Sequence, residues 1–169
     1  HGEMGHGNLL TQVELHVPLL LKYPAGGEQP RRDDGWIQVT DLMPLILHRL
    51  GIAVPPGVQG AATIENRPPV VSEVYPLPSR SKRGDWRTLI AGDYKFAWNS
   101  RGNHMLFRLN EDPGEVNNIA PRMPSRSGTM RKELLDFIES LPLPAPPSED
   151  EIEIDPETRE ALKSLGYVK

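Results

Sequence analysis

A chain of 169 residues with 37% apolar side chains and a formal charge of −4 can form one modest domain, but it is poor in core-forming material. Its 19 Lys and Arg are scattered among 23 acids with no basic face, which excludes nucleic acid as an expected partner. No apolar run approaches the ~20 residues that span a bilayer, and the absence of cysteine excludes disulfides, thiolate metal sites and a cysteine nucleophile within these residues.

The sequence opens on HGEMGHGNLLTQVELHVPLLLKYP. His1, Glu3 and His6 are side chains that bind zinc and related ions. Gly2, Gly5 and Gly7 oppose a helix, so two histidines cannot share a metal through helical i, i+4 spacing, and a glycine-rich loop at a cut end is the plainer reading. No charged-then-apolar leader follows residue 1. HVPLLLKYP (16–24) is a short, nearly continuous apolar run ended by Pro24, which suits a strand covered on both faces in an α/β sheet.

After a polar turn region at 25–35, VTDLMPLILHRLGI (39–52) reads as a helix. Thr40 or Asp41 serves as N-cap, Leu42, Met43, Ile46, Leu47 and Leu50 fall at helical spacing, and Gly51 ends it. PVVSEVY (69–75) reads as a short strand. The period then changes: RTLIAGDYKFAWN (87–99) and HMLFRL (104–109) alternate. Tyr94, Phe96 and Trp98 share one face, with Met105, Phe107 and Leu109 on a facing one. Turns at Gly92-Asp93 and 100–103 make this an antiparallel meander.

NEDPGEVNNIA (110–120) is turn chemistry. TMRKELLDFIESL (129–141) places Met130, Leu134, Ile138 and Leu141 on one stripe of a helix expected to pack on the meander. PLPAPPSEDEIEI (142–154) reads as an extended acidic linker. In DPETREALKSLGYVK (155–169), Asp155 caps a helix, Pro156 takes its first position and Gly166 ends it.

Taken together, the order of these pieces resembles the C-terminal part of the sulfatases, in the alkaline-phosphatase superfamily. The resemblance rests on HGEMGHGNLLTQVELHVPLLLKYP, VTDLMPLILHRLGI, LIAGDYKFAW, MLFRLNEDPGEVNNIA and ETREALKSLGYV. It implies an α/β fold: the last strands of an alkaline-phosphatase-like sheet over 1–75, a small antiparallel sheet with a packed helix over 76–141, and a linker with a terminal helix over 142–169.

The resemblance also implies hydrolysis of a sulfate monoester on a sulfated small molecule or glycan, by a formylglycine made from the Cys or Ser of a C-x-P-S-R motif. A divalent cation, usually Ca2+, assists. The nucleophile and the metal ligands are expected upstream of His1, so the chain alone is expected to be inactive, and a periplasmic or secreted location follows from the family. PLPSR (76–80) and RMPSR (122–126) imitate the tail of that motif, but Pro76 and Arg122 stand where the convertible residue belongs. Both read as coincidences in loops, and Ser79 and Ser125 are not expected nucleophiles.

Two registers place His1 on the family pattern. One puts His1-Gly2-Glu3 on a metal-binding Asp-His-Gly-Glu sequence, which makes His1 a ligand. The other puts His1 on a later His-Gly and runs without a gap from His1 through Gly5-His6-Gly7 to Val17-Pro18, and it is preferred. By resemblance, His6 then stands where the family places a Lys or His against the substrate's anionic oxygens. A cation or N–H donor there offsets developing charge or protonates the leaving oxygen.

His16, His48 and His104 take ordinary structural readings. Asp112, Glu115, Asn117 and Asn118 lack the ligand order of a calcium loop, and turn formation explains them. The alternatives are a phosphodiesterase or phosphonate hydrolase of the same superfamily, and a non-catalytic accessory module.

Overall fold

Alternating side chains from Trp86 to Arg108 build the best-packed part of the molecule. The computed structural model describes residues 10–24, 27, 29–63, 69–74, 84–141 and 155–164. Four strands, β1 (Val70–Val74), β2 (Trp86–Ala91), β3 (Tyr94–Asn99) and β4 (Met105–Arg108), form an antiparallel meander in the order β1-β2-β3-β4. Gly92, at φ 60, takes the first central position of the two-residue β2–β3 turn, where only a residue free of Cβ strain follows the sheet twist without cost. The register sets Leu89 opposite Phe96, and Phe96 opposite Leu106.

Those three side chains lie on the face covered by helix α3 (Pro124–Ser140), whose Met130 and Leu134 complete a fully buried cluster with them. The sheet and its helix follow the sequence pattern with three corrections. The strand at 69–75, expected among the last strands of an α/β sheet over 1–75, is instead β1, the edge strand paired antiparallel with β2 in this same sheet. Met105 and Phe107 do not face the Tyr94–Phe96–Trp98 row: in this register Leu106 does, and Phe107 packs with Ile90 and Leu109 on the opposite face, beside Trp36. The helix also begins at Pro124 instead of Thr129, because proline at the first helical position lacks only an N–H that would go unbonded there. RMPSR thus spans a 3-10 turn and the first turn of α3, not a loop.

The stretch before the sheet is built differently. A single-turn helix α1 (Gln12–Leu15) precedes residues 16–24, which form no strand and whose side chains from His16 to Lys22 are exposed. The expected both-faces-buried strand is corrected by a physical fact: among the described residues no strand lies beside this segment to satisfy its backbone. A 3-10 turn at Val39–Asp41 leads into helix α2 (Leu42–Arg49), where Asp41 stands at the N-cap position as expected, its side chain serving instead as the third residue of a capping box with Gln38. Asp41, buried, accepts the N–H groups of Gln38 at 2.9 Å and Ala61 at 2.7 Å. Gly60, at φ 103, lies so close to Thr40 O that a Cβ would meet it at 2.3 Å.

Both outer edges of the sheet are met by side-chain amides. Gln38 Oε1 accepts Val71 N–H at 3.0 Å on β1, and Asn118 Oδ1 accepts Leu106 N–H at 3.0 Å on β4. The chain divides into two units after Glu139. In the second, helix α4 (Pro156–Ser164) starts as expected, with Asp155 Oδ1 accepting Thr158 N–H at 2.9 Å. No helix among the described residues is long and apolar enough to cross a membrane. The linker 142–154, Gly166 and PLPSR lie outside the described residues.

Candidate functional site at the exit of the histidine-rich segment

His1, Glu3 and His6 lie outside the described residues, which begin at Leu10. What the structure describes is how the chain leaving that segment is held. On the sheet face away from α3, alternation puts Lys95 in a row between Ile90 and Phe107, with Thr88, Ala97 and Met105 in the next row. A lysine there is costly unless its charge is met. Two groups meet it: the Lys95 ammonium donates to the backbone carbonyl of Leu10, and it pairs with the Glu115 carboxylate at 2.5 Å, the two side chains being 1% and 2% exposed.

Glu115 reaches this position from the NEDPGEVNNIA turn by an unusual backbone, φ 52, in the region that favours glycine. Its other oxygen, Oε2, accepts the backbone N–H of Gln12 at 2.5 Å. One ion pair therefore holds both a carbonyl and an amide of the chain at 10–12, just where α1 begins. Burial pushes the Lys95 ammonium below its ordinary value of 10.5, while the bonded Glu115 and the more remote Glu14 act the other way. A cavity of about 110 Å³ lies against this anchor, lined by Leu10, Thr11, Thr88, Ala97, Met105, Phe107 and Glu115.

The remaining acids and amides of the turn are engaged in shaping it. Asp112 accepts Val116 N–H at 3.1 Å and Asn117 N–H at 2.9 Å, and Asn118 accepts Ala120 N–H at 3.0 Å. Among the described residues no group of three or more His, Asp or Glu is arranged to hold a metal ion. These carboxylates do not fit a calcium site, since N–H donors and Lys95 already occupy them.

The other histidines are structural neighbours of aromatic rings or helix ends. His16 meets Trp36 edge-on at 5.3 Å, and His48 lies in the last turn of α2. His104 stacks on Trp98 at 6.3 Å and accepts Asn99 N–H through Nδ1 at 3.2 Å. Burial, with the Arg131 charge, lowers His104 below its ordinary 6.5. Ser125 lies in the first turn of α3, its carbonyl bonded to Thr129. Sequence reasoning passed over Lys95 in GDYKF and assigned Glu115 in DPGE to turn formation, whereas the Glu115 side chain is bound to Lys95 and to Gln12 N–H. The available signal was the one charged residue within the strand YKFAWN.

No family model matches the chain. In sequence it is similar to mouse (Mus musculus) arylsulfatase K, with 25% identity over 164 residues, spanning 82% of this chain and 29% of that protein. The chain therefore spans less than a third of the length of the curated relative it matches. Among solved structures, it is similar to BT4656, determined with its substrate D-glucosamine-2-N,6-O-disulfate (21% identity, TM-score 0.48, 59% of this chain and 23% of that one). It is also similar to the putative sulfatase yidJ of Bacteroides fragilis (24% identity, TM-score 0.46, 59% and 24%). The sulfatase resemblance carried by the sequence motifs is thus met again in a curated relative over most of the chain.

Proposed function

We propose that this chain is the C-terminal portion of a sulfatase-like hydrolase that cleaves sulfate monoesters, with a sulfated sugar as the substrate class. The observation that carries the reading is the match to arylsulfatase K over 82% of the chain. A second observation supports it: Val13, Val17, Leu20, Val39, Met43, Ile46, Leu50 and Ile52 are each more than half exposed, a concentration expected where further polypeptide covers the surface.

In this reading His6 faces the anionic group of the substrate. Its imidazole donates an N–H to a sulfuryl oxygen or a proton to the departing oxygen, chemistry suited to a group that titrates near neutrality. A formylglycine nucleophile and a Ca2+ ion would be supplied by residues outside this chain, and no step is assigned to either.

The test is to assay the natural full-length protein against an aryl sulfate, a phosphodiester and a phosphonate ester. Sulfate turnover that falls about 100-fold or more in His6→Ala, with the melting temperature unchanged, supports the assignment. Preferential phosphodiester turnover overturns the substrate class, and unaltered kinetics in His6→Ala remove that residue from the site. If the isolated chain is a compact, monodisperse monomer that binds no hydrophobic dye, the accessory-module reading replaces this one.

A further inference from the structure

We infer that Lys95 and Glu115 are positioning residues that fix the chain at Leu10–Gln12, the residues that follow the histidine-rich segment in sequence. The inference about catalysis rests on the proposed role of His6; the anchoring itself does not.

The geometry is specific. A single ion pair fastens two backbone groups of opposite polarity, Leu10 C=O and Gln12 N–H, on either side of Thr11. Leu10 is buried against the same face, so the chain is held there by a side chain as well as by its backbone. The contacts join points separated by 85 and 103 positions in sequence, and nothing in the meander needs them: the β2–β3–β4 ladder and the α3 cluster form on their own partners. A buried lysine adds nothing that a methionine of similar length would lack in packing alone, and removing both members of a buried ion pair is often neutral for stability. The sheet therefore carries a charged pair whose distinct effect falls on residues 10–12.

Only four peptide steps separate His6 from Leu10, and four residues of fully extended chain reach at most about 14 Å. Fixing Leu10 therefore bounds where His6 can stand, and a reacting group misplaced by about 1 Å can lose 100-fold in rate.

The test uses the natural full-length protein and compares wild type with Lys95→Met, Glu115→Gln and the double variant Lys95→Met/Glu115→Met. Amide exchange is read at Gln12, Glu14, Leu15 and His16, and separately at Leu89, Phe96 and Leu106. Turnover of para-nitrophenyl sulfate is followed as kcat and KM.

The expected result for the double variant has two parts. Exchange at residues 12–16 accelerates at least tenfold while the strand amides keep their protection. The value of kcat falls about 10- to 100-fold with KM changed less. Glu115→Gln retains an acceptor for Gln12 N–H but leaves the Lys95 ammonium without its counter-charge, so it should recover only part of both. If exchange at 12–16 is unchanged, or rises only together with that of the strands, the pair is not an anchor and the inference is overturned. If residues 12–16 loosen selectively but kcat is unchanged, the catalytic part is overturned. If the wild-type protein hydrolyses no sulfate ester while residues 12–16 still loosen selectively, the sulfatase reading fails and the anchor stands.

Discussion

Residues 10–63 and 69–141 use similar side chains to opposite ends. In the meander and α3, Leu89, Phe96, Leu106, Met130 and Leu134 are fully buried, each with defined partners across the sheet or on the helix. In α2 only Pro44 is buried, and Met43 and Ile46 remain more than half exposed. Both helices carry an apolar stripe of ordinary spacing. The difference is whether an opposing surface exists among the described residues, which is why amphipathic pattern alone predicts an element but not its burial.

The sharpest way to break the contrast is in the packed half. Phe96→Ala should cost about 3–5 kcal/mol and Leu134→Ala about 2–5 kcal/mol, read by denaturant unfolding. Losses below about 1 kcal/mol would mean that the meander is no better packed than the segment before it. Next in size is the one tightly built polar point of the first region: Asp41→Ala leaves two N–H groups without their acceptor and should cost about 1–3 kcal/mol. Gly60→Ala should act in the same direction, since its Cβ would collide with Thr40 O.

A smaller effect follows from His104. Its folded value lies below 6.5, so the unfolded state binds its proton more readily. The associated stability is fully present above about pH 6.5 and is lost as pH falls through that value toward the folded one. Unfolding measured from pH 8 to 5 should show this loss, and His104→Asn should flatten it. If both proteins have the same slope, the ring contacts do not discriminate against the protonated form.

The smallest effect is expected on the exposed stripe. Ile46→Ser or Leu20→Ser in this chain should change stability by no more than about 0.5 kcal/mol while reducing hydrophobic-dye binding. The same changes should cost about 1.5–3 kcal/mol where these side chains are covered in a longer natural protein. Equal small effects in both settings would mean that the stripe stays uncovered.

Much of the sheet was legible because period-two alternation is a local signal and its turns carry glycine at the required conformations. The register was not, since a shift of one residue exchanges the two faces; placing Phe107 instead of Leu106 opposite Phe96 is that error. HVPLLLKYP misled for a different reason. A continuous apolar run records that a segment is to be covered, yet whether it pairs as a strand depends on neighbours absent from its own pattern. Of the candidate site, His6 was read from resemblance. The Lys95–Glu115 pair was invisible as a pair, because no local rule connects a strand lysine with a turn glutamate twenty positions later.

The two amides that meet Val71 and Leu106 have a consequence for how copies of this chain encounter one another. Strand edges with unfilled N–H groups invite a neighbouring molecule to extend the sheet. Here a carboxamide stands at each margin, Gln38 on one and Asn118 on the other, so growth by backbone zippering is obstructed on both sides. Self-association of the isolated chain should therefore proceed through the oily surface of residues 13–52, giving amorphous clusters that dissolve with mild detergent instead of ordered fibres.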